Sequence, residues 1–108
     1  MAKGVDLDRM RDAARVSRIE WQRHALERMT EREIRRSDAL NVILSGELVE
    51  EYPDDQPFPS ALLLGWIGSR PLHVLAAFDA GSEHAFVITA YEPDLEHFEA
   101  DFKTRRTV

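Results

Sequence analysis

The chain has 108 residues, 44% of them hydrophobic and 31% charged, with no cysteine and a net charge of −6. Its length suits a single domain over residues 1–108 with one core, and its composition lies well away from the disordered regime. The missing cysteine removes disulfide frameworks, thiol nucleophiles and cysteine-ligated zinc, and no apolar leader or membrane-length run stands in the sequence, which points to a soluble, cytoplasmic protein without membrane attachment.

Leu7, Met10 and Ala14 recur at helical spacing, so residues 6–16 are predicted as an amphipathic helix begun by Asp6 or Asp8. This reads as an N-terminal helical extension (1–16) ahead of a core spanning 17–106. The pattern breaks after Ser17, a candidate cap, and Gln22 to Met29 reads as a second helix with Ala25, Leu26 and Met29 inward. Thr30 to Glu33 fits a T-x-x-E capping box and Ser37-Asp38 offers another N-cap, leaving two starts for a third helix over Ala39 to Leu44. Gly46 is placed to end it in the left-handed conformation.

Beyond Gly46 the period becomes that of strands: Leu48 to Tyr52, Ala61 to Ile67, Leu72 to Phe78 and Ala85 to Tyr91. The last two joints are short, so the later strands are expected to form an antiparallel meander, whereas Pro53 to Pro59, with three prolines, cannot join a ladder. After Pro93, Asp94 to Lys103 is predicted as a short C-terminal helix presenting Leu95, Phe98 and Phe102. The expectation is an α+β fold with N-terminal helices packed on a four-stranded antiparallel sheet.

Charge is unevenly distributed. Residues 1–36 hold ten Lys and Arg against seven Asp and Glu, residues 37–101 one against thirteen, and residues 102–108 three against none. An acidic total argues against nonspecific coating of nucleic acid, while the two basic ends can still form a local patch.

His24 and Arg28 lie four apart and therefore share a helix face, with Arg32 one turn on. A guanidinium holds a planar oxyanion and an imidazole moves a proton near neutral pH, so the pair suits phosphate chemistry; it equally suits a solvated helix edge with Arg28 in a salt bridge. His73 alternates with Leu72 and Val74 in a strand, compatible with a site on the sheet beneath the helix that carries His24, while a satisfied core or edge histidine is the commoner case. Tyr91 ends the last strand on the parity of Val87 and Thr89, and its hydroxyl can serve a phosphate or anchor the turn after it. Arg70 is the one basic residue of the acidic segment. His84 and His97 are weaker candidates, and without H-x-x-x-H or H-E-x-x-H spacing no metal site is expected. The motifs of nucleotide cofactors and of α/β-hydrolases are missing too, so no cofactor is expected.

The ordered set HALERMTEREI (from His24), SGELVEEYP (from Ser45), PSALLLG (from Pro59), RPLHVL (from Arg70) and ITAYEPD (from Ile88) resembles the domain of unknown function 4258 family over roughly residues 17 to 106. The resemblance implies kinship with RelE-like and MqsR-like toxins and a RelE/barnase-like fold. It further implies a metal-independent endoribonuclease of a type II toxin-antitoxin system. Its partners would be RNA and a cognate antitoxin of zinc-finger or helix-turn-helix type; a homodimer is compatible with it. His24, His73 and Tyr91 would then be catalytic, and Arg28, Arg32 and Arg70 would bind phosphate. Glu33 stands where the family usually has glycine, so a helical junction is expected there in place of a left-handed turn. The rival expectation is a noncatalytic interaction module with an acidic binding surface.

Overall fold

In a computed structural model, which describes residues 4–107, the Asp6 carboxylate accepts the Arg9 N–H at 3.1 Å and caps α1 (Leu7–Arg15). The helix ends on Ser17, whose φ of 63° lets its N–H and that of Arg18 bond back to the carbonyls of Ala14 and Ala13. Ser17 thus closes the first helix and does not open the second. A short strand β1 (Ile19–Trp21) leads into α2 (Arg23–Glu31), which ends the same way: Glu33 takes φ 58°, and Glu33 and Ile34 donate to Thr30 and Met29. The residue in the usual glycine position therefore adopts the left-handed turn after all, held by burial of Ile34 and Met29 on either side.

Thr30 caps nothing. Its hydroxyl donates to the Leu26 carbonyl at 2.9 Å, while α3 (Arg36–Ser45) is opened by Asp38, whose carboxylate accepts the Arg35 N–H at 2.9 Å. Gly46 is extended at φ −73°, and what demands glycine is proximity: a Cβ there would sit 2.5 Å from the Val42 carbonyl oxygen and 2.7 Å from that of Leu64.

The strands β2 (Glu47–Tyr52), β3 (Ser60–Ile67), β4 (Arg70–Asp79) and β5 (His84–Tyr91) fall where the period of two places them. The sheet nevertheless has five strands in the order β1-β5-β4-β3-β2, and it is mixed, because β1 runs parallel to β5. The expected four-stranded antiparallel sheet is corrected on this point: three residues are too few to show alternation, and β1 is defined by its partner.

The expected C-terminal helix does not form. Residues 93–107 make a strap of turns closed by a bridge between Phe98 and Arg105. Two aspartates dictate this. Asp94 accepts the backbone N–H groups of Glu96 and His97, and Asp101 accepts those of Lys103 and Thr104, so each carboxylate satisfies a turn in competition with a helix. The same two bonds hold the Asp101 carboxyl down at about 2.

All three helices cover one face of the sheet. Met10 of α1, Met29 of α2 and Ile43 of α3 pack with Leu63, Leu72, Val74, Ala76, Ala85 and Val87, so α1 belongs to the single core. The other face, bearing Leu62, Leu64, His73, Leu75 and Ala77, carries no helix. The strap covers it at one end, and the segment 53–59 lies against it at the other, where Phe58 stacks on Phe86 at 5.5 Å and Asp55 accepts the Ser60 hydroxyl at 2.6 Å.

Candidate functional site

Two features aim side chains at the helix-free face. Alternation along β4 turns His73 away from the helices, since its neighbours Leu72 and Val74 are in the helix-side core. On β5 a register shift opposite Leu75 and Ala76 inserts a residue, so Val87 pairs with Ala76 while Tyr91 pairs with His73. Tyr91 and Val87 consequently occupy opposite faces, although sequence parity assigns them to one.

His73 is fully buried, and both ring nitrogens are engaged. Nε2 lies 2.7 Å from the Phe102 carbonyl oxygen, which can only accept, so Nε2 carries the proton and Nδ1 is the acceptor for the Tyr91 hydroxyl at 3.2 Å. The Phe98 ring stands edge-on to the imidazole at 4.7 Å between centroids. Burial is the main cause that pushes the His73 pKa below its ordinary 6.5, with the Phe102 carbonyl opposing it. The imidazole is neutral at pH 7. Burial likewise raises Tyr91 above its ordinary phenol range.

Beside this pair the strap delivers a cation that sequence reasoning passed over. Arg105 Nε and Nη2 donate to the two carboxylate oxygens of Glu50, each at 3.0 Å, and Nη2 also reaches the Tyr52 hydroxyl at 3.2 Å. Its guanidinium lies 5.0 Å from the Phe98 ring centroid. Tyr52 donates to Glu50 in turn. These bonds, Arg105 first, hold Glu50 below the ordinary carboxylate range; burial, then the bond to Glu50, raises Tyr52. No local pattern announced Arg105, because its partner is 55 residues away and the strap read as helix.

Tyr52, Asp55, Leu62, Leu75 and Tyr91 line an open cleft of about 240 Å³ on this face. A second hollow of about 360 Å³, lined by Phe58, Phe86 and Ile88 among others, lies further along it. The arrangement offers two phenols, a carboxylate held ionised, a guanidinium and a neutral imidazole behind one of the phenols.

The remaining sequence candidates lie elsewhere. His24 projects into solvent from α2, with its Nδ1 3.7 Å from Glu27. It sits on the helix side of a sheet whose opposite side holds His73, so the two cannot share a proton-transfer site. Arg28 pairs with Glu31 at 3.2 Å as a solvated helix edge. Arg32 donates to the Ala90 carbonyl at 2.8 Å, and Arg70 bonds the carbonyls of Arg32 and Glu33 and the Glu92 carboxylate. Both therefore tie the α2–α3 junction to the end of the sheet.

Asp94, Glu96 and His97 form an exposed cluster, but the Asp94 Oδ1 already accepts from two backbone N–H groups and lies 2.8 Å from His97 Nδ1. It is the cap of a turn. No described helix is long and apolar enough to cross a membrane.

The family model described as Domain of unknown function (DUF4258) matches residues 21–92. No curated protein and no solved structure matches the chain. The matched stretch includes His73, Tyr91, Glu50 and Tyr52, and ends before the strap that supplies Arg105, Phe98 and Phe102.

Proposed function

For a chain that belongs to the family of domains of unknown function DUF4258, we propose a metal-independent, toxin-like endoribonuclease activity carried by the helix-free face of the sheet. The observation that supports it is the hydrogen-bonded series from the Phe102 carbonyl through His73 to the Tyr91 hydroxyl, which opens on the cleft beside Arg105, Glu50 and Tyr52. Helices on one face and a helix-free opposite face that carries a cleft also suit the RelE/barnase-like architecture that the family resemblance implies.

In this reading the RNA 2′-hydroxyl gives its proton to the Tyr91 oxygen as the Tyr91 proton passes to His73 Nδ1. The Phe102 carbonyl keeps the imidazole in the tautomer able to receive it. The 2′-oxygen then attacks the adjacent phosphorus. Arg105, turning from Glu50, meets the charge that develops on the phosphoryl oxygens, and the departing 5′-oxygen takes the Tyr52 proton. The products are a 2′,3′-cyclic phosphate and a 5′-hydroxyl. Incubation of RNA with the protein in excess chelator, followed by end-group analysis, tests this: those two ends support it, and 5′-phosphate ends or no cleavage refute it.

One observation favours a noncatalytic interaction module, on a neutral surface in place of the expected acidic one. Arg105 is fully paired with Glu50 and His73 is sealed from solvent, so the face is internally neutralised while Phe58 and Phe86 stack at 5.5 Å beside an open hollow. A neutral, partly aromatic surface suits a protein partner such as an antitoxin. Wild-type protein that cleaves no RNA yet loses partner binding on Phe86→Ser would establish that reading.

A further inference from the structure

We infer that a cleft on the helix side, remote from the sheet face and independent of the nuclease reading, docks an acidic amphipathic peptide segment of a partner protein. At about 690 Å³ it is larger than the hollows of the sheet face. Its floor is apolar: Met29 and Ile34 are buried there, and Leu26 and Ile67 are half-buried. Its rim carries Arg35, Arg36 and Arg70.

The state of those cations decides the ligand class. Arg9, Arg15, Arg18, Arg23 and Arg28 each have a carboxylate within 3.3 Å. Arg70 has Glu92 at 2.9 Å. Among the described residues the exposed side chains of Arg35 and Arg36 have no such partner, and Asp38 on the same wall spends a carboxylate oxygen on the Arg35 backbone N–H. In a chain with 20 Asp and Glu against 14 Lys and Arg, two adjacent uncompensated arginines beside an apolar floor are complementary to carboxylates flanking an apolar side chain. A nucleic-acid backbone fits less well. Its charges repeat evenly along the strand with no aliphatic side chain between them to place over Leu26 and Ile67, whereas a peptide can set its carboxylates against Arg35 and Arg36 and keep them away from Glu33.

The test is fluorescence anisotropy with three labelled probes: a peptide with leucines at helical spacing among glutamates, its counterpart with lysines for glutamates, and a single-stranded RNA. Each is titrated against wild type, Arg35→Gln/Arg36→Gln and Leu26→Asn, whose folding is checked by thermal melting. The account expects the Glu/Leu peptide to bind wild type, to lose about tenfold or more in affinity to the double variant, and to weaken with Leu26→Asn; the Lys/Leu peptide should not bind. It is overturned if the Glu/Leu peptide fails to bind wild type, if the double variant binds it equally well, or if the arginine pair captures the RNA in preference. RNA cleavage by wild type and by the double variant should be equal, which separates this outcome from that of the nuclease reading.

Discussion

The Tyr91 hydroxyl stands 3.2 Å from Nδ1 of His73, on adjacent strands whose Cα atoms are direct partners. With Nε2 committed to the Phe102 carbonyl, the histidine depends on that phenol for its second hydrogen bond. Tyr91→Phe keeps the ring and removes the donor, leaving a buried acceptor unsatisfied. It should lower stability by about 1–3 kcal/mol in denaturant unfolding.

Buried neutral His73 also sets a pH dependence. Its folded pKa lies below the ordinary 6.5, so as pH falls beneath 6.5 the unfolded chain takes up a proton that the folded chain refuses. Stability should therefore be flat above about pH 7 and decline on acidification through the region just below 6.5, before the carboxylates begin to titrate. The thermal midpoint of wild type should fall between pH 7.5 and about 5.5, and His73→Gln, less stable throughout, should show a flatter profile.

Glu33 gives an independent check on the backbone. Its φ of 58° falls where a side chain is disfavoured and glycine is not. Glu33→Gly should stabilise the protein by about 0.5–1 kcal/mol, less than the full strain because the unfolded chain also gains freedom. An unchanged or lowered melting temperature would contradict the assigned turn.

The strap is held on the sheet by Arg105 and Glu50, with Lys103 and Glu47 bonded at 2.8 Å beside them. Both ion pairs are exposed, so each is worth at most about 1 kcal/mol. Arg105→Gln should leave global stability nearly unchanged. Amide exchange at Phe102 and Arg106, whose N–H groups bond the Glu99 and His97 carbonyls, should accelerate about fivefold while Val74 in the core keeps its protection.

Which features were legible in the sequence follows from the range over which each is determined. The helices and β2 to β5 have local periods and were readable, as was the alternation of His73 against Leu72 and Val74. Which of the two faces the helices cover was not, and the expectation that His73 lies beneath the helix of His24 fails on that point. The strand β1 has no period to read, and Ile19–Trp21 is extended because it lies along Ala85–Val87. Leu95, Phe98 and Phe102 have helical spacing, yet Asp94 and Asp101 override it through turn hydrogen bonds that a hydrophobic period does not register. Tyr91 changes face because of one inserted residue in a ladder. His24 and Arg28 do share a helix edge, as their spacing requires, but spacing cannot say that the edge faces water. The Arg105–Glu50 pair joins two segments that only the fold brings together.

Under the proposed function, chemistry occurs on the helix-free face and not on the helix that bears His24. The most direct test is the single-turnover rate of RNA cleavage, in chelator, by wild type, Tyr91→Phe and His24→Gln, each confirmed as folded. The account expects Tyr91→Phe to slow cleavage by about 10²-fold or more and His24→Gln to match wild type. Cleavage that survives Tyr91→Phe and disappears with His24→Gln would contradict it.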